Sequence, residues 1–477
     1  GDFNSGLTAC RTAERRLGEL IDRYGVELML DCVRLNLDRS EARMRENIKA
    51  LPDGEYYYED YLETFGPKGF EPLLLPLSLT IKGDSLTADF TGVSPQVPVP
   101  VNSTLAVTAA SVFIALKSTL DPQHALNHGS FRPVDVIAPE GTIVNVSHPA
   151  PAGSHGEIRK RVIATMLGAL ARACPELVSG DIHRTSFHNL IGGIDPDTGG
   201  EYVHYEWASG GNGGFLEADG PSAMAAIDWG DLTTVQSTEV LENKFPLQVD
   251  FSRLGTDSGG PGQHRGGLGM RRALRLTRGS AKYSLLSDGA MMPPFGILGG
   301  ESGAPVDSYV VKADGTEHRF DSPGKVGGHP LEAGDTVILQ SAGGGGYGAP
   351  WERDREALAR DVADGVVSED AARTMYVAEE AAPRSLTVTD CDADAYVASG
   401  PSQKRVIRLN PADAIALGLT ADKRIELVGK DGAPLRGWLI CDETVATGTV
   451  PLDAKGRLCV GANAGNAVTP RRLTVPT

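Results

Sequence analysis

The residues best equipped for chemistry fall in one short stretch, Asp257-Ser258-Gly259-Gly260-Pro261-Gly262-Gln263-His264-Arg265-Gly266-Gly267, with Ser287-Asp288 following. An acid, a hydroxyl, an imidazole and a guanidinium set among glycines can bind an anion, with backbone N–H groups cradling it and Arg265 clamping it. The same residues also suit a turn network in which Asp257 caps the loop and Arg265 pairs with an acid such as Glu239 or Glu242. Both readings fit the residues equally well.

Histidines form the second group. His124 and His128 have the i, i+4 spacing that puts two imidazoles on one helical face, although Pro122 and Gly129 leave little room for a helix. His183 and His188, with His204 and Glu206 on a later β-like run, make a comparable set. Neither is a strong metal signature, and most such residues are solvent-facing or hydrogen-bonded in loops. Gly343-Gly344-Gly345-Gly346-Tyr347-Gly348 fits GxGxxG between a β-like run and a helix. Pro350 follows at once, and no acid ends a second strand about 20 residues on, as a ribose site requires. A loop needing positive φ and close backbone approach is the favoured reading. The chain has no GxxxxGK[ST], HExxH or GxSxG, so any ATP binds elsewhere, and the commonest zinc-protease and α/β-hydrolase readings fall away.

The elements that position these groups follow from periodicity. Apolar residues from Leu7 to Ala50 recur at helical spacing and predict two helices broken near Gly25. Pro52 to Pro72, with Tyr56-Tyr57-Tyr58, reads as an irregular stretch suited to docking. Alternation around Lys82-Gly83-Asp84 predicts a hairpin. Ala106–Leu116 predicts a buried helix, Glu157–Ala173 an amphipathic one, and Val134–Ala138 and Thr142–Val146 short β runs. From Thr185 to Gly348 brief β runs alternate with glycine clusters. Helices return in Arg353–Asp364 and from Ser368, as N-cap, to about Glu380. Near the end, Asn410-Pro411-Ala412-Asp413 opens a short helix closed at Gly418, and a hairpin turns at Lys430-Asp431-Gly432.

Composition narrows the class. A chain of 477 residues with 41% hydrophobic and 22% charged residues is globular and long enough for two to four domains. No run reaches the roughly 18–20 apolar residues of a membrane span. With 45 Lys plus Arg against 62 Asp plus Glu, the net charge of −17 repels phosphate backbones and argues against nucleic acid. Six scattered cysteines without a CxxC pair suit a reduced, cytoplasmic protein. The opening Gly-Asp-Phe-Asn, without Met, reads as a fragment or a processed chain. Glycine is the outlier, 58 residues of 477 against a usual ~7%.

Taken in order, several of these motifs resemble the hydantoinase B/oxoprolinase family: Gly1-Asp2-Phe3-Asn4 with Arg11 and Glu14-Arg15-Arg16-Leu17, Glu239-Val240-Leu241-Glu242 with Phe245-Pro246, and Asp257 to Gly269. The match continues through Ser287-Asp288, Pro293-Pro294-Phe295-Gly296, Gly299-Gly300 and Gly343–Gly348, covering roughly Gly1 to Ala378. The resemblance implies an ATP-dependent cyclic amide hydrolase working with a hydantoinase A-like, actin-like ATPase subunit. That subunit binds ATP and phosphorylates the carbonyl oxygen of a hydantoin or 5-oxoproline, and the B part completes ring opening with water. Related acetone and acetophenone carboxylases use similar subunits, and a scaffold role is the non-catalytic alternative. The family's Asn-Asp-Pro and His-rich stretch, which carries its metal ligands, has no equivalent before Gly1. The chain therefore resembles the C-terminal two-thirds of a B subunit, and any divalent metal is expected outside it, on a separate N-terminal metal-binding part.

The expected fold is α/β, mixed α+β: a large Gly-rich multi-layer body with an N-terminal helical segment and a small C-terminal β-barrel, double-psi-like. Its expected parts are a helical segment at 1–75, the body at 76–350, a helical extension at 351–380, a linker at 381–403 and the barrel at 404–477. The expected site contacts are Asp257, His264, Arg265 and Asp288, with Arg265 holding phosphate and His264 moving a proton to the leaving nitrogen.

Overall fold

A computed structural model describes residues 1–66, 69–228, 235–377, 385–391, 395–421 and 423–473. Two long helices open it, α1 (Asp2–Tyr24) and α2 (Val26–Lys49), broken at Gly25, whose φ of 79° ends the first. No residue of α1 is buried, whereas Ser40, Met44 and Ile48 seat the end of α2 on the body. Strand β1 (Gly54–Leu62) follows, then a short ribbon of β2 (Phe65–Gly66) and β3 (Gly69–Phe70), then β4 (Leu73–Lys82) and β5 (Ser85–Asp89). The expected hairpin is present: β4 and β5 pair antiparallel around Gly83, at φ 60°. The stretch expected to be irregular is instead β1, antiparallel to β4 in the first sheet, with Tyr57, Tyr58 and Tyr61 buried. Both faces of this strand are covered, so its sequence lacks the polar alternation of a half-exposed strand.

Helix α3 (Leu105–Leu120) and strand β6 (Val134–Ile137), parallel to β5, lead to α4 (His155–Ala173), which packs across β1 and β4. Residues 142–146, expected as a β run, form only isolated bridges. The next strands are β7 (His188–Ile194) and β8 (Glu201–Trp207); after α5 (Thr238–Lys244) come β9 (Leu247–Leu254), β10 (Met270–Leu276) and β11 (Ser280–Leu286). Then follow β12 (Asp307–Val311), β13 (Glu317–Arg319), β14 (Lys325–Glu332) and β15 (Thr336–Gln340). They make two sheets, ordered β13-β12-β15-β10-β9 and β14-β11-β7-β8. Ile191, Leu274, Tyr283, Leu285, Val310, Val337 and Leu339 form one core between them.

The glycine clusters do something other than turn corners. Gly343 to Gly346 are buried and lie outside helix and strand, and consecutive residues bond to different segments: Gly344 N–H to Gly267 O (2.9 Å), Gly345 to Asp181 O (2.8 Å), Gly346 to Glu301 O (2.9 Å). In return Gly260 donates to Gly344 O (2.8 Å), Gly214 to Gly345 O (2.9 Å) and Ile297 to Gly346 O (3.0 Å). Such fanning is expected of extended chain with about three residues per turn, packed among like neighbours. Side chains do not fit: a Cβ on Gly343, Gly344 or Gly345 would lie 1.7, 1.9 or 1.8 Å from a neighbouring backbone oxygen. Close approach is therefore the reason for these glycines, and positive φ is confined to Gly348 at the end of the run.

Helices α6 (Arg355–Ala363) and α7 (Glu369–Met375) follow, with Ser368 capping the second by accepting from Ala371 N–H. The expected continuation to Glu380 passes outside the described residues after 377. The C-terminal sheet contains β16 (Leu386–Asp390), β17 (Tyr396–Ser399), β18 (Ser402–Leu409), β19 (Arg424–Val428), β20 (Leu435–Cys441), β21 (Thr449–Leu452) and β22 (Ala467–Arg472). The helices α8 (Pro411–Ala416) and α9 (Ala454–Val460) connect them. Its order is β17-β18-β20-β19-β22-β16-β21, a curled sheet in which β21 returns to touch β18. The linker expectation is corrected within 381–403: β16 and β17 belong to this sheet, short strands whose few apolar residues hid them. No helix among the described residues is long and apolar enough to cross a membrane.

Candidate functional site

The structure puts Asp257, His264 and Arg265 on the rim of the glycine bundle and Asp288 in a separate buried network. Asp257 is exposed at φ 61°, and its carboxylate accepts from Ser368 N–H (2.7 Å), joining the rim to α7. His264 exchanges backbone hydrogen bonds with Tyr347 and lines a cleft of about 440 Å³ with Glu217, Asp219, Arg353 and Asp354. Arg265 does pair with acids, but with Asp219 and Asp361 and not with Glu239 or Glu242. Its backbone N–H reaches Asp219 Oδ1 at 2.9 Å and its Nε reaches Asp361 Oδ1 at 3.3 Å. Arg353 bridges the same two carboxylates at 2.7 and 2.6 Å. Against the upward push of burial, Arg353 and Arg265 hold Asp219 below the usual carboxylate range. Two guanidiniums and two carboxylates thus fasten α6 to the rim.

Asp288 is wholly buried and accepts from Arg161 Nε and Lys325 Nζ, both at 2.8 Å. Arg161 reaches on to Asp60 at 3.4 Å, and Arg184 bonds to Asp60, Asp181 and Met292 O. Glu63 is held differently: its carboxylate takes the backbone N–H groups of Gly289 (3.0 Å), Ala290 (3.2 Å), Met291 (2.9 Å) and Met292 (2.8 Å). Arg161, Arg184 and Lys325 therefore answer Asp60, Asp181 and Asp288, while four amides answer the fourth carboxylate. Burial and the neighbouring Asp288 push Glu63 above the usual carboxylate range, whereas against burial Arg184 and Arg161 hold Asp60 below it.

This network opens onto the outer face of the β14-β11-β7-β8 sheet. Glu63, Thr64, Val99, Pro100, Leu286 and Lys325 line a cavity of about 270 Å³ there. On edge strand β8, Val203, Tyr205 and Trp207 alternate outward and stay exposed, and Trp207 lies opposite His188 on β7. Trp207 Nε1 donates to the Tyr205 hydroxyl (2.7 Å) and to His188 Nδ1 (3.3 Å); the Tyr205 hydroxyl also bonds to His188 Nδ1. On its other side, His188 Nε2 lies 3.6 Å from Glu157 Oε1. Glu157, in the first turn of α4, is buried and accepts from Thr185 Oγ1 (2.8 Å) and Ser186 N–H (2.9 Å). Burial pushes Glu157 up, Lys160 down and His188 down to about 4. Gly156 permits the approach, since a Cβ there would meet Ser186 Oγ at 2.7 Å and His188 Nε2 at 3.7 Å.

The histidine pairs are dispersed. His124 bonds to Asp121 (2.6 Å), His183 is buried beneath Gly210, and His204 faces Phe245 with Glu206 at 3.4 Å. Among the described residues no three His, Cys, Asp or Glu side chains converge as a metal set.

The match to known proteins spans the glycine bundle and both sheets: residues 1–350 fit the hydantoinase B/oxoprolinase family. The chain belongs to that family. It is 34% identical to an uncharacterized protein of Methanocaldococcus jannaschii (77% of this chain, 62% of that protein) and 30% identical to the caprolactamase subunit beta of Pseudomonas jessenii (79% and 65%). The crystal structure of the ATP-dependent caprolactamase of Pseudomonas jessenii superposes with a TM-score of 0.72 at 28% identity, covering 80% of this chain and 67% of that one. The chain thus spans less than two thirds of the length of these curated relatives.

The Glu157, Lys160 and Arg161 cluster escaped sequence reasoning, although a signal was there. Arg159, Lys160 and Arg161 crowd the first turns of α4, where the helix macrodipole disfavours cations, so acids from elsewhere had to answer them.

Proposed function

We propose that this chain is a subunit of an ATP-dependent cyclic amide hydrolase, completing the ring opening of a lactam or imide that a partner ATPase subunit activates. Its likeness to the caprolactamase subunit beta, in sequence and in fold, carries the reading. The chemistry agrees: an activated, phosphorylated amide is labile to water, so a closed passage between the two subunits would protect it until hydrolysis. The nucleotide belongs to the partner, in keeping with a glycine run too tightly packed to cradle phosphate.

The test is reconstitution with a hydantoinase A-like ATPase subunit, measuring ATP-dependent opening of caprolactam, hydantoin and 5-oxoproline beside ATP-dependent incorporation of bicarbonate into a ketone. Ring opening with no bicarbonate incorporation is the expected outcome; the reverse makes the chain a carboxylase component. Arg265→Ala and His264→Ala decide whether the bundle rim takes part: turnover falls if Arg265 holds phosphate and His264 moves a proton. Copurification with unchanged turnover assigns the rim to assembly.

A further inference from the structure

We infer that Glu157, His188 and Tyr205 form a proton relay ending at the Tyr205 hydroxyl, in an aromatic corner that receives the ring of a cyclic amide. The inference deepens the ring-opening reading and rests on it.

Hydrogen-bond roles fix the direction. An indole N–H can only donate, so Tyr205 Oη accepts from Trp207, and the His188 tautomer decides whether the Tyr205 proton points at Nδ1. With Trp207 also donating to Nδ1, that nitrogen is the acceptor and the neutral ring carries its proton on Nε2. Nε2 is buried without a hydrogen-bond partner, facing Glu157 Oε1 across 3.6 Å. An acid, an imidazole and a hydroxyl follow one another here in the order of the acid–histidine–hydroxyl sets that activate a weak nucleophile or base, with the acid just beyond hydrogen-bond distance and Tyr205 half-exposed. The ring stays neutral because it is largely buried and because Lys160, Arg159 and His155 on α4 and Lys325 on β14 oppose a further positive charge. The rings of His188 and Tyr205 are nearly parallel (9°), and Trp207 stands edge to face against Tyr205 at 5.4 Å, giving an aromatic corner beside the cavity of Glu63 and Lys325.

The step balances. Tyr205 passes its proton to His188 Nδ1 while the Nε2 proton moves to Glu157, so the ring stays neutral. Water forms a bond to the phosphorylated amide carbon, and one of its protons goes to the Tyr205 oxygen. As the C–N bond breaks its electron pair goes to nitrogen, which takes the Tyr205 proton; His188 returns a proton to Tyr205 and Glu157 returns its own to Nε2. An amine and an acyl phosphate are produced, and a second water cleaves the acyl phosphate to carboxylate and phosphate.

In the reconstituted complex, Tyr205→Phe should lower kcat for ring opening about a hundredfold, with KM within about threefold and thermal stability unchanged. His188→Gln should lose as much, and the double variant no more than either single one, as expected of residues acting as a unit. A Tyr205→Phe kcat within twofold of wild type, or additive losses, overturns the relay. The ¹⁵N shifts of His188, read without substrate, should place its proton on Nε2. An Nδ1–H tautomer overturns the relay even where the wild-type complex opens rings, whereas a wild type that opens none sinks the underlying reading instead.

Discussion

At the scale of residues, the molecule keeps ionisable groups dry and controls their charge with partners from distant sequence. His183 shows the consequence for stability. Burial pushes it down to about 4 from an ordinary 6.5, so between those values the unfolded chain binds more protons than the folded one. Its contribution is complete above about pH 6.5 and is lost as pH falls through about 4, a change on the order of 3 kcal/mol. Urea titrations should show His183→Asn flattening the pH dependence of stability between pH 7 and 4; an unaltered slope would contradict the assignment. Partnerships of this kind are poorly legible in sequence. Asp60 and Arg184 lie 124 positions apart, and nothing local to either predicts the other.

Elements were readable where their cause is local. The Gly83 turn, the Ser368 cap and the periodic helices follow from φ preference, N–H capping and period, and the structure shows all three, although α4, expected to be amphipathic, is buried on nearly every face. β1 was missed because both its faces are buried, and β16 and β17 because each is short and weakly apolar. Of the candidate site, the rim was visible as a dense polar motif. The sheet-face site was not, since it takes Glu157 from α4, His188 from β7 and Tyr205 from β8. The glycine runs carry the sharpest element-scale prediction. Gly344→Ala would set a Cβ 1.9 Å from Asn212 O, backbone against backbone, with no rotamer to yield. It should cost more than about 3 kcal/mol, beyond the 1–3 kcal/mol typical of overpacking. Gly6→Ala, in open space on α1, should be neutral or slightly stabilising by comparison; chemical denaturation of the two variants compares them.

For the whole molecule, the C-terminal sheet is built into the body. Ile407 of β18 shares one core with Leu79 and Ile163, and Arg405 makes a two-bond contact with Glu59 of β1 at 2.5 and 2.9 Å. Calorimetry should therefore find one unfolding transition for body and C-terminal sheet together. Arg405→Ala should lower stability by about 3–5 kcal/mol, because Glu59 would remain buried without its cation. Two separate transitions would show that the sheet folds by itself.

The glycine bundle also decouples what spectroscopy normally reads together. Its amides are bonded and shielded, yet they belong to neither helix nor ladder, so far-ultraviolet circular dichroism should register residues 343–346 as coil while deuterium enters them as slowly as it enters β10. Isotope exchange resolved to single amides would detect a rigid centre that the optical spectrum reports as formless.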